Sequence, residues 1–264
     1  MEQNFWHKQT SKALFPDMAW SRPENKHHAG KLLIIGGNEH GFAAPAEAYS
    51  ASLAAGAGAV RVVLPSKLQK TVSKIFPEAE YAPSTPSGSF AASSLAVMLD
   101  GSAWSDSVLL AGNIGSNSET VALFENFLSK YTGQINAVGD AADLLIVNRA
   151  IAQTNTLIVL DLAQSRRLAT ALRSPKAITS TLNLVQLVET LHLLTTDNKI
   201  SLATINSEQI IIASAGQVST SKSAPTNLSL TTLASHLAVW RLQNPAKSFE
   251  AMTTAAFGLA NKPA

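Results

Sequence analysis

Apolar positions along this chain fall into short runs separated by longer, mixed stretches, and the two alternate. Residues 31–35 (KLLII), 60–64 (VRVVL), 107–111 (SVLLA) and 156–160 (TLIVL) are brief runs rich in branched side chains. Such runs suit strands buried on both faces of a parallel sheet. Between them lie helix-prone stretches. Residues 43–55 are Ala-rich and stop at Gly56 and Gly58, as a helix ends where glycine accepts the left-handed turn. Pro65 opens a further helix over residues 67–75. Residues 119–130 space Val121, Leu123, Phe124, Phe127 and Leu128 on one helical face. A weaker strand follows at 135–138, then a helix over 141–153, and residues 182–194 read as a long apolar helix. This order predicts right-handed crossovers and a mostly parallel sheet covered on both faces.

After Asp197 the pattern changes. Residues 200–205, 209–213 and 217–220 are short strand-like runs with tight joins, so an antiparallel edge is expected. Helices over 231–243 and 248–259 close the chain. Residues 83–89 read as a surface loop and 222–229 as a polar, turn-rich link. No internal repeat or linker divides the body, which gives one α/β domain over residues 30–264. Residues 1–29 form an arm, in which Phe5, Trp6, Phe15 and Trp20 are interleaved with Pro16 and Pro23. Its rings are expected to dock on the body or on a neighbouring subunit.

Composition narrows the choice of partners. The chain has 264 residues, 46% hydrophobic and only 14% charged, so it is globular and has little polar surface, which favours a homo-oligomer. The net charge is +2 and the basic residues are scattered, which argues against a nucleic-acid partner. Cysteine is absent, which excludes disulfides and thiol chemistry. No window is apolar over the roughly 20 residues needed to cross a bilayer, and the first twenty residues lack a signal-peptide core, so no membrane partner and a cytoplasmic location are expected.

Ligands of open α/β sheets bind beyond the carboxyl ends of the strands. The first such place is Gly36-Gly37-Asn38-Glu39-His40-Gly41, where turn-making glycines explain the pattern as well as a ligand would. Read with its neighbours, GKLLIIGGNEHGFAAPAEAYSASLAAGAGAVRVVLP resembles the opening unit of the ADP/ATP-dependent NAD(P)H-hydrate dehydratases. Gly36-Gly37, Ala43-Ala44-Pro45 and Ala55-Gly56-Ala57-Gly58 fall in that family's register, and a looser likeness of element order spans residues 22–260.

The resemblance implies a ribokinase-like three-layer αβα sandwich, with a mostly parallel central sheet and antiparallel edge strands. It implies ADP or ATP and an NAD(P)H-type molecule as ligands. The expected ligand-binding residues are Gly36, Gly37, Asn38, His40, Ala43, Ala44, Asn113 and Asp140. The implied reaction phosphorylates the added hydroxyl of the hydrate and eliminates phosphate. That needs a glycine-rich cradle and a carboxylate base, which the family takes from a motif near the C-terminus.

Here that position reads SKSAPTNLSLTTLASHLAVW, with Thr231 where the base would stand. No Asp or Glu occurs between Glu208 and Glu250, and no Gly between Gly216 and Gly258. A threonine hydroxyl is no general base near neutral pH.

Other motifs also depart from the family. AGNIG (111–115) stands where a GPGLG turn would be, GDAADL (139–144) shifts one acid, and LDLAQ (160–164) lacks a substrate-loop histidine. Near residues 203–207 a Lys-Gly pair is missing. These departures imply a catalytically impaired relative that still binds a nucleotide-like ligand. Two alternatives stand beside it: an active enzyme with its base relocated to Asp140, Asp143 or Asp161, and a non-catalytic assembly subunit. Helix N-capping is the competing role for Asp140 and Asp161. His27 and His28 read as a solvated lead-in, and His192 and His236 as packing or surface residues. No metal-ligand spacing or nucleophile motif is present.

Overall fold

The computed structural model describes residues 4–147, 155–179, 181–222 and 224–261. Its centre is a ten-stranded sheet. The strands are β1 (Trp6–Gln9), β2 (Lys31–Gly36), β3 (Ala59–Pro65), β4 (Ala79–Ala82), β5 (Ser107–Ala111), β6 (Gln134–Val138), β7 (Thr156–Leu160), β8 (Ile200–Asn206), β9 (Gln209–Ser214) and β10 (Gln217–Lys222). They lie in the order β1-β10-β9-β8-β7-β6-β5-β2-β3-β4. From β4 across to β8 every pairing is parallel, β9 is antiparallel to both neighbours, and β1 returns to a parallel pairing with β10. The expected strands are all present, with ends moved by at most two residues.

Alternate residues of the central strands feed two separate cores, as the two-residue strand period requires. Leu32, Ile34, Val62, Leu64, Leu109, Leu157 and Val159 pack with α1 (Ala43–Ala54), α8 (Leu230–Gln243) and α9 (Ser248–Ala260). On the opposite face Leu33, Ile35, Val63, Val108, Leu110 and Ile158 pack under α3 (Leu95–Trp104), α4 (Ser118–Lys130), α5 (Asp140–Val147), α6 (Leu162–Ala171) and α7 (Leu184–Asp197). The result is the three-layer αβα sandwich. The helix expected over 67–75 is confined to a turn at Ser66–Leu68 and the short α2 (Gln69–Val72). The helix expected over 141–153 is seen to Val147, and its remainder lies outside the described residues.

The opening segment is part of the sheet. Phe5 stacks on His192 with ring centroids 3.8 Å apart, and Phe15 meets Phe249 edge-on. Trp6 Nε1 donates to Thr220 Oγ1. Trp20 alone of the four aromatics is outward, 88% exposed.

Candidate functional site

The chain runs outward from β2 through β3 to β4, then returns to the other side of β2 to lay down β5, β6, β7 and β8. The β2/β5 boundary is therefore where the winding reverses, and a crevice must open beyond the carboxyl ends there. Register aligns those ends: Gly36 pairs with Ala111, and Ala111 with Val138. Each is followed by a glycine in the left-handed region, Gly37 (φ +81), Gly112 (φ +76) and Gly139 (φ +69). A side chain at any of the three would be strained. The last two also touch, since a Cβ on Gly139 would lie 3.2 Å from the Gly112 Cα. After this row of turns come Asn38, Asn113 and Asp140, and all three line one cavity of about 720 Å³.

His40, Ser87, Ser89, Gly115, Ser116, Asn117 and Asp143 complete its polar wall, and Val121, Leu144 and Val147 its apolar one. The volume lies within the range of small-molecule sites. Amide hydrogen bonds hold the two loops together. Asn38 Nδ2 donates to Asn113 Oδ1 at 2.6 Å, and the Gly115 amide donates to the same oxygen at 3.2 Å. Asn38 Oδ1 accepts from the His40 amide, and Asn117 Oδ1 caps α4 by accepting from the Thr120 amide. Residues 83–89 form the expected surface loop, with Pro83, Pro86 and Ser87 exposed, and its inner side closes one wall of the cavity. Thr85 and Ser89 are buried, and the Glu39 amide donates to the Gly88 carbonyl.

The acids sort by environment. Asp143 accepts from Arg167 Nε and Nη2 at 3.0 and 2.6 Å and from Gln164 Nε2 at 3.0 Å. Asp161 caps α6 in a reciprocal box with Gln164 and is not on the cavity lining. Asp140 opens α5 as its first helical residue rather than as its cap, and among the described residues no hydrogen-bond or ion-pair partner holds it. Among the described residues no group of three or more His, Asp or Glu is arranged to hold a metal ion.

Of the other sequence candidates, Gly36, Gly37, Ala43 and Ala44 do not line the cavity, though Gly36 and Ala44 pack closely against the turn after β5. A Cβ on Gly36 would stand 2.0 Å from the Ala111 carbonyl oxygen, and one on Gly112 would stand 2.4 Å from the Ala44 Cβ. Thr231 lies in the first turn of α8, against the other face of the sheet, where its carbonyl accepts from Ser235 Oγ. Sequence reasoning missed what faces that turn. Ser229 caps α8 by accepting from the Thr232 amide at 2.9 Å. The Ser229 and Thr232 hydroxyls both donate to Glu47 Oε1 of α1, the latter at 2.7 Å. The start of α8 thus carries a carboxylate from the chain itself. Glu47 sits one turn into α1, and only the α1–α8 packing brings it there, so no local motif could have marked it.

This architecture is the ribokinase-like fold. Among solved structures it resembles a ribokinase-like superfamily protein from Enterococcus faecalis V583, with TM-score 0.72 and 16% identity over 98% of this chain and 88% of that one. It also resembles the ADP/ATP-dependent NAD(P)H-hydrate dehydratase of Bacillus subtilis co-crystallised with ATP/Mg2+, with TM-score 0.65 and 11% identity over 96% and 88%. A phosphomethylpyrimidine kinase from Clostridium difficile 630 is similar at TM-score 0.52 and 12% identity over 88% and 100%. No family model and no curated protein matches the sequence. No described helix is long and apolar enough to cross a membrane.

Proposed function

We propose that the chain is an NAD(P)H-hydrate dehydratase-like protein with impaired catalysis, which binds a nucleotide or dinucleotide-type ligand beyond β2, β5 and β6. The observation that carries this reading is the start of α8. The family resemblance places the phosphate cradle and the base there, and this chain has Thr231, no glycine and the Glu47 carboxylate. A helix start stabilises an anion, and here its hydroxyls are already engaged with one. A nucleotide phosphate brought to the same turn meets like charge, so these residues do not fit the group that phosphoryl transfer would place on them. The cavity at the winding reversal, by contrast, keeps its polar lining and its space.

ADP or ATP and an NAD(P)H-type molecule are the ligands this reading names, and the ATP/Mg2+ co-crystal of the Bacillus subtilis neighbour supports testing them first. Calorimetric titration with NADPH, its hydrate, AMP, ADP and ATP is expected to give at least one binder. Incubating NADPH hydrate with ADP or ATP is expected to restore no NADPH absorbance. Silence across the titrations would remove the binding half of the proposal, and turnover the impaired half. The active alternative rests on Asp140, a carboxylate on the cavity wall with no described partner. Turnover abolished in Asp140→Asn would favour it.

A further inference from the structure

We infer that Asp140 and Asn113 form a subsite for a ribosyl vicinal diol, so that the cavity takes a ligand by its sugar hydroxyls. The inference rests on the proposed binding of a nucleotide-type ligand and names the part of it that is recognised. The two side chains follow abutting left-handed glycines, Gly112 and Gly139, on neighbouring strands β5 and β6. Both line the cavity.

Their hydrogen-bonding capacities are complementary. The Asn113 oxygen accepts from Asn38 Nδ2 and from the Gly115 amide. That fixes the rotation of its amide and leaves the nitrogen, a double donor, as the unspent group. Asp140 is acceptor-only when ionised and has no described partner. The neighbouring acid differs, because Asp143 is already paired with Arg167 and accepts from Gln164. Gln164 Nε2 also donates to the Gly139 carbonyl at 2.9 Å, which ties the turn carrying Asp140 to the start of α6.

A fixed donor and a carboxylate with no partner among the described residues, on one cavity wall, suit a hydroxyl pair. Each hydroxyl donates a hydrogen bond to the carboxylate while its oxygen accepts one from the amide. Carboxylates at strand ends of dinucleotide-binding sheets take ribose hydroxyls in the same way. A phosphate, which only accepts, gains nothing from Asp140 and is repelled by it. Val121 of α4, with Leu144 and Val147 one and two turns further along α5 from Asp140, offers the apolar contact that a base or nicotinamide ring needs.

The test is calorimetric titration of the full chain with adenosine and with reduced nicotinamide riboside, each beside its 2′,3′-dideoxy form. A charge-assisted hydrogen-bond pair corresponds to about tenfold or more in affinity. At least one nucleoside is therefore expected to bind about tenfold or more tightly than its dideoxy form. Asp140→Asn is expected to erase that difference with an unchanged melting temperature, since the side chain is exposed and has no partner among the described residues. Asp143→Asn is expected to keep the difference. Nucleotides that bind while each nucleoside and its dideoxy form bind alike would overturn the diol subsite and leave the proposed binding standing. A difference that survives in Asp140→Asn would also overturn it. No binding by any nucleoside or nucleotide would overturn both.

Discussion

Arg241 is fully buried in α8, at the end of the sheet opposite the cavity, and its described partners are all neutral. One guanidinium nitrogen donates to the Ile135 carbonyl at 3.3 Å and to Asn136 Oδ1 at 3.2 Å. The other donates to the Asn155 carbonyl at 2.8 Å and to Asn155 Oδ1. Burial pushes its pKa down to about 10 and that of nearby Tyr131 up to about 12. Both groups therefore reach neutral pH in their protonated forms. A buried cation surrounded by carbonyl dipoles is a costly arrangement that persists only when its hydrogen bonds are made. Here the two terminal nitrogens join α8 to the strand entries of β6 and β7, while the buried Nε has no partner among the described residues. Arg241→Ala would leave a cavity and at least two unsatisfied amide oxygens. Urea unfolding is expected to show a loss of about 3–5 kcal/mol, and a loss below 1 kcal/mol would mean the guanidinium does not hold the strands.

At the scale of elements, the joint between α1 and α8 is where sequence and structure part company. Ser229 caps α8 and also donates to Glu47, so the cap and the interhelical contact share one hydroxyl. Ser229→Ala is expected to cost about 1 kcal/mol for the lost cap. Glu47→Ala should cost a few tenths to 1 kcal/mol. The double variant should fall short of the sum, because both changes remove the same contact. Strict additivity in denaturant titrations would mean that Glu47 is not held at the start of α8.

Other elements were illegible for physical reasons. β1 (WHKQ) has no apolar run and is held as a strand by pairing with β10, some two hundred residues away in the chain. β4 is a four-residue edge strand with a mixed burial pattern. α3 carries a mid-helix Gly101, a poor helix former that is nonetheless fitted here, since a Cβ would stand 3.1 Å from Leu33 Cδ2. α6 is largely polar, yet its start was written in the sequence as Asp161 followed three residues on by Gln164, a capping-box spacing.

At the scale of the whole molecule, the parallel core and the antiparallel hairpins were readable from apolar runs alone, because central strands have no solvent face to disguise them. Asn38, His40, Asn113 and Asp140 were named by the strand-end rule together with the family resemblance, and the structure brings all four to one cavity. The cavity's far wall was not, since Ser87 and Ser89 reach it only through a fold-back of a loop with no periodicity.

The opening segment gives the last test. An unpaired strand edge invites pairing with another chain, and natural sheets cover such edges. In this fold the long β10 edge is covered by β1, reinforced by Gln9. Its buried amide nitrogen donates to Ser221 Oγ at 2.6 Å and to the Thr253 carbonyl at 2.9 Å. Removing residues 1–13 takes away β1, the Phe5–His192 stack and the Gln9 bridge together, and uncovers β10 along its length. Stability is expected to fall by about 2–4 kcal/mol. Light scattering is expected to show mass rising with concentration beyond that of the full chain. A truncated chain of unchanged mass and unchanged stability would mean that β1 neither seals the sheet nor supports it. A fall in mass would instead place the segment between subunits of a homo-oligomer.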